Sequence, residues 1–219
     1  MKVYAIPGLG YDCRIFSGLT LDVMPEFINW IPHLPDEKFK DYTRRLFHHL
    51  PQDDDGIVLI GHSFGGVVAQ EIASMKRIRK IILISSIKSR AEIPTSFKIL
   101  HRLRLYKLFT KQLCTRTVRF WGKHHGMKDT STIELFKSML SKHSNHDLQS
   151  ALRMLCTWEP TPMKNGTSIF QLHGTKDATL PFRFIDNADE VIDGGSHMMV
   201  FNQAARISWV VNRELGKSE

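Results

Sequence analysis

The sequence predicts an α/β fold, a doubly wound and mostly parallel sheet with helices on both faces, and three observations carry that reading. Short β-prone runs recur along the chain, most of them apolar throughout; helix-like segments separate them; and glycine, proline or other turn residues close them. A strand buried on both faces of a parallel sheet needs no polar side, so a continuous apolar run is its signature. Strands alternating with helices then give the doubly wound arrangement.

In chain order, residues 2–6 form the first expected strand, stopped by Pro7-Gly8, and a helix-like segment follows at 14–19. A strand at 27–31, a helix at 36–50, a strand at 56–60, a helix at 65–75 and a strand at 80–85 continue the alternation. The pattern lapses from 87 to 159, where amphipathic stretches such as 133–141 and 147–158 succeed one another without a convincing strand. That stretch reads as an insertion, a helical cap over residues 87–160. Strands at 168–172 and 190–192 and a last helix at 199–215 complete one domain spanning 1–219, a size for which a single core suffices.

Composition excludes several classes. No apolar run approaches the roughly 18 residues needed to cross a bilayer, and the start is interrupted by Pro7, Gly8 and Gly10, which does not read as a signal peptide. Cys13, Cys114 and Cys156 are far apart, an odd count without metal-ligand spacing, so buried or partly buried thiols in a cytoplasmic protein are expected. The histidine clusters His124-His125 and His143-x-x-His146-Asp147 lack the HExxH pattern and read as solvated positions; neither a metal nor another cofactor is expected. The formal net charge of +8 is concentrated in residues 87–165, which hold 15 basic and 5 acidic side chains. A solvated helical surface explains it; attraction of anionic substrates or surfaces is the alternative. No recognition motif accompanies the charge, so no nucleic-acid role is expected.

Chemistry concentrates in three turns. Residues 57–69 read as a buried strand, the turn Gly61-His62-Ser63-Phe64-Gly65 and the start of a helix. A serine nucleophile needs such a sharp strand-to-helix turn to lift its hydroxyl above the sheet edge, with small residues two places either side. Serine is weak without a base, and His197, in the loop Asp193-Gly194-Gly195-Ser196-His197 before the final helix, is the candidate; His62 and His173, beside glycines in strand exits, are read as local hydrogen-bonding residues. The acid that orients the base is expected at Asp177, in the turn after strand 168–172, with Asp186, Asp189 and Asp193 as rivals. Two backbone N–H groups, those of Phe64 and of Leu9 in Pro7-Gly8-Leu9-Gly10, are expected to form an oxyanion hole.

These motifs, Gly61-His62-Ser63-Phe64-Gly65-Gly66, His173-Gly174-Thr175-Lys176-Asp177, Gly195-Ser196-His197 and Pro7-Gly8-Leu9-Gly10, resemble those of the α/β-hydrolase superfamily outside residues 87–160. The resemblance implies nucleophile, acid and base at Ser63, Asp177 and His197. The chain opens on what looks like the family's third strand, which implies a reduced sheet of about six strands, and Pro7 stands where many relatives have histidine. A serine nucleophile argues against the branches that use aspartate. The implied activity is hydrolysis of a small or medium carboxylic ester or thioester through an acyl-enzyme, with an anionic substrate as the option raised by the basic segment. The alternatives are a sensor-type ligand-binding protein with a vestigial triad and a lyase of the same fold.

Overall fold

The computed structural model describes residues 1–48, 50, 56–164 and 166–217. Six strands, β1 (Lys2–Ile6), β2 (Glu26–Phe27), β3 (Ile57–His62), β4 (Lys80–Ile84), β5 (Ser168–Gly174) and β6 (Glu190–Ile192), form one sheet in the order β2-β1-β3-β4-β5-β6. Every pairing is parallel. The reduced, doubly wound sheet is the one expected, with the qualification "mostly" unnecessary among the described residues.

Alternation along the central strands explains why both faces carry helices. Val58 and Ile60 of β3, with Ile82 and Ile84 of β4, enter one apolar cluster; Ile57, Leu59, Ile81 and Leu83 enter the other. Successive side chains point to opposite faces, so a strand without polar residues must bury both. Each fully buried isoleucine or leucine contributes about 1.5–3 kcal/mol relative to exposure. Helices α1 (Phe39–Leu46) and α2 (Phe64–Met75) cover the second cluster. Between β4 and β5 come α3 (Thr95–Arg102), a 3₁₀ turn (Leu105–Leu108), α4 (Lys111–His125), α5 (Thr130–Ser141) and α6 (Asn145–Thr157), with no strand among the described residues. Of these, α4 and α5 supply side chains to the first cluster, and α6 gives Leu148 to the first and Ala151, Met154 and Leu155 to the second. The chain ends in α7 (Met199–Asn202) and α8 (Ala204–Leu215), on the first.

Several expected elements are shorter or broken. The helix at 14–19 is a 3₁₀ turn, Cys13–Phe16, begun by the Asp12 side chain, which accepts from the Arg14 N–H. The helix at 36–50 covers only Phe39–Leu46; position 49 lies outside the described residues, as do the last two of 1–219. The strand at 27–31 shrinks to Glu26–Phe27: after Ile28 donates to the Ala5 carbonyl the chain leaves the edge, and the Trp30 indole N–H donates to the carbonyls of Gly8 and Tyr11. The final helix breaks at Gln203, whose φ of −123° and ψ of 35° leave the helical region.

The strand order places the site. β1 and β2 run outward to one side, whereas β3 onward run to the other, so the order reverses between β1 and β3. In a doubly wound sheet the crevice at the carboxyl ends of such a pair is where ligands bind. The turns after β1 and β3 carry Leu9 and Ser63.

Candidate active site

Ser63 joins β3 directly to α2 with φ 52° and ψ −123°, a conformation that costs a non-glycine residue about 1–3 kcal/mol. The surroundings hold it there. Its N–H donates to the Ile84 carbonyl at 3.0 Å, and its own carbonyl accepts from the Ser86 hydroxyl at 2.6 Å and from the Gly66 N–H at 3.0 Å. A Cβ on Gly61 would strike the backbone of Gly66, and one on Gly65 would strike the Ile6 and Pro7 carbonyls. Strand and helix therefore meet closely only because these positions are glycine.

His197 lies between β6 and α7, and Asp177 follows β5. Their loops are tied together: Thr175 N–H donates to the Ile192 carbonyl, Lys176 N–H to Gly195, and Gly194 N–H to the Thr175 hydroxyl. The result brings the three expected residues into one line. His197 Nδ1 is 2.8 Å from Asp177 Oδ2, and His197 Nε2 is 3.0 Å from Ser63 Oγ. Asp177 Oδ1 accepts from the N–H groups of Thr179 and Leu180, both at 2.8 Å. Burial by itself would raise the Asp177 carboxyl, but the His197 charge and hydrogen bond outweigh it and the carboxyl sits below the usual range. An ionised carboxylate only accepts, so Nδ1 donates and Nε2 faces Ser63 with its lone pair.

The rival acids are engaged elsewhere. Asp193 is exposed and accepts from the Thr175 hydroxyl, Asp189 accepts from the Gln171 N–H, and Asp186 accepts from the Asn187 amide. His173 makes the local hydrogen bond expected of it, whereas the local reading of His62 needs correcting. His173 Nε2 is 2.8 Å from the Leu180 carbonyl, seven residues on, while His62 Nε2 is 2.9 Å from the carbonyl of His197 itself.

The reading of His124-His125 as solvated needs correcting at His125. Its ring lies 6.2 Å from that of His197, its Nδ1 is 3.1 Å from the Trp121 carbonyl, and its carbonyl accepts from Met198 N–H. Burial depresses the His125 imidazole to about 4 and His62 to about 3, with nearby His197 adding to both, while His173 is depressed by burial. Uncharged imidazoles thus surround His197. The cluster at 143–147 is likewise engaged: Asp147 accepts the backbone N–H of buried His33 at 2.8 Å and faces its Nδ1 at 3.3 Å. No group of three or more His, Cys, Asp or Glu side chains among the described residues is arranged to hold a metal ion. No helix among them is long and apolar enough to cross a membrane. Cys114 and Cys156 are buried and Cys13 is half-buried, all three as free thiols.

A cavity of about 450 Å³ lies beside Ser63, lined by Leu9, Gly10, Trp30, His33 and Phe64 among others. Gly10, at φ 80°, turns the loop after β1 toward it, in a left-handed conformation that glycine adopts without cost. Ser63 is 6% exposed and is not in the lining, while the next residue, Phe64, is. Neither the Leu9 nor the Phe64 N–H donates to a described residue outside its own element. Of the fifteen basic residues in 87–165, only Lys142 lines the cavity, and it pairs with Asp12 at 2.9 Å. Hydrogen bonds to Arg14 and Lys142 overcome burial and hold the Asp12 carboxyl at about 2.

No curated protein matches the sequence. Solved structures similar in fold include an esterase from Exiguobacterium antarcticum, with a TM-score of 0.69 at 14% identity over 99% of this chain and 92% of that one. A Bacillus megaterium epoxide hydrolase reaches 0.69 at 11% identity over 99% and 94%. A meta-cleavage product hydrolase from Pseudomonas fluorescens reaches 0.67 at 14% over 97% and 89%. The profile of the alpha/beta hydrolase family matches residues 3–208, and the chain belongs to that family.

Proposed function

We propose that the protein is a serine hydrolase that cleaves small or medium carboxylic esters or thioesters. The observation that carries this reading is the line from Ser63 Oγ through His197 to Asp177, with separations of 3.0 and 2.8 Å. Ser63 Oγ attacks the carbonyl carbon while its proton passes to His197 Nε2, and Asp177 stabilises the imidazolium. The oxyanion is met by the N–H groups of Phe64 and Leu9, the former at the positive end of α2. The imidazolium returns its proton to the leaving alcohol or thiol as the carbonyl re-forms. Water, deprotonated by the same imidazole, then releases the acid and restores Ser63.

The cavity beside Leu9 and Phe64 has a volume suited to a small or medium ester group. In this reading residues 87–160 form a cap on one domain spanning 1–219, with His125 reaching from the cap to the base. The three free thiols favour a cytoplasmic setting. Turnover of p-nitrophenyl acetate and butyrate, beside acyl-CoA thioesters, tests the reading. Activity abolished by Ser63→Ala is expected. Activity equal in Ser63→Ala, or ligand binding without turnover in the wild type, would favour a sensor or a lyase instead.

A further inference from the structure

The helices between β4 and β5 present a surface that the Ser63 chemistry leaves unused. Residues 93–128 contain nine lysines and arginines and not one aspartate or glutamate. Ile99, Leu103, Leu105, Leu108, Leu113 and Phe120 are exposed within the same stretch, Leu108 at 63% and Phe120 at 82%. They are half of the twelve exposed large apolar side chains among the described residues, in about a sixth of the chain. Neither α3 nor the 3₁₀ turn after it fully buries a residue; Phe97 and Leu100 are half-buried, but folding gives no account of Ile99, Leu105 and Leu108.

The arrangement selects a partner. Leu103, which caps α3, follows Ile99 by four residues, and Leu113 and Phe120 are two turns apart on one face of α4. Lys98, Arg104, Lys107 and Arg119 sit beside these apolar residues in sequence; all four are exposed, and none is in an ion pair with a described residue. Protein interfaces bury apolar cores from which lysine is depleted. A bilayer interface takes both kinds of side chain at once: apolar groups enter the headgroup–acyl boundary, while lysine and arginine stems extend to anionic headgroups.

We infer that the surface formed by α3, the 3₁₀ turn and α4 docks the protein peripherally on an anionic lipid bilayer. The inference is independent of the ester reading and adds a partner to it.

Flotation with vesicles of phosphatidylcholine, with and without phosphatidylserine, tests it on the full chain. The wild type should float with the phosphatidylserine vesicles and only weakly with phosphatidylcholine alone. Leu108→Asn with Phe120→Asn should lower the partition coefficient by about tenfold or more. Arg104→Gln and Arg119→Gln should each lower it by about fivefold, the worth of one cation near such a surface. Ser63→Ala should float like the wild type, so docking is read apart from hydrolysis. Circular dichroism of each variant verifies that it is folded. Absence of flotation with anionic vesicles would overturn the inference. So would equal partitioning of the apolar variant, which would leave a site for soluble polyanions. A dimer dispersed by the apolar variant, with no vesicle binding, would overturn it in favour of self-association.

Discussion

The turn at Ser63 and the helices between residues 93 and 128 differ in what surrounds each side chain. At Ser63 the backbone is held in a left-handed conformation by three hydrogen bonds, and neighbouring glycines admit no additional carbon. In α3 and the 3₁₀ turn after it, no side chain is buried. The first region tolerates almost no substitution because its geometry is over-determined. In the second, Ile93, Cys114, Val118 and Met127 anchor the segment in the core, while Ile99, Leu103, Leu105, Leu108, Leu113 and Phe120 face outward. A tightly held turn and the Ser63–His197–Asp177 line of hydrogen bonds therefore sit at the sheet edge, and exposed cationic and apolar side chains sit between β4 and β5.

The largest contrast should appear in catalysis. Asp177→Asn is expected to lower kcat for p-nitrophenyl butyrate by about 10⁴-fold, because an amide NH₂ toward Nδ1 favours the wrong tautomer of His197. Asp193→Asn should change it little, since Asp193 meets Thr175 and solvent. A reversed outcome would move the acid to Asp193.

A second contrast separates the regions by stability. Ile82 is fully buried in β4, and Ile82→Ala should cost about 2–5 kcal/mol in urea unfolding through lost burial and the cavity left behind. Leu108→Ala should stay within about 0.5 kcal/mol. Comparable losses at both positions would mean that Leu108 is packed in solution.

The smallest effect is a pH dependence. Unfolded imidazoles take up protons as pH falls below about 6.5, whereas burial keeps folded His125 neutral to about 4 and His62 to about 3. The unfolded state then binds more protons than the folded one, so stability falls as pH drops from about 6.5 toward 4. Melting temperature should decline over that window, and His125→Gln should flatten the slope. An unchanged slope in His125→Gln would show that this imidazole is charged or solvated.

The same comparison explains what was legible in the sequence. Ser63, Asp177 and His197 each sit in a turn leaving a parallel strand, and the glycines that permit those turns are local in sequence. Asp177 was preferred to Asp193 on the ground that an acid would reach the imidazole from a neighbouring loop; Asp177 meets His197 and Asp193 faces Thr175, and the Asp177→Asn and Asp193→Asn pair tests the choice. His125 was not legible, since an amphipathic helix repeats its pattern without saying which strand-end loop it will meet. The edge strand at 27–31 was overestimated because β-prone residues such as Ile28 and Trp30 serve the core and the loop after β1 instead of the sheet. The basic segment was visible as charge. Its exposed leucines were not, because periodicity gives a helix a face and does not state whether the fold covers it.

The central claim, that Ser63 is an activated nucleophile beside two oxyanion donors, is tested most directly by a fluorophosphonate probe and peptide mass spectrometry. Attack by Ser63 Oγ expels fluoride and forms a phosphonyl ester, whose oxygen occupies the place of the oxyanion. One probe equivalent on the peptide containing Ser63, lost in Ser63→Ala and on heat denaturation, is the result expected. Labelling at another residue, or none in the folded protein, would contradict it.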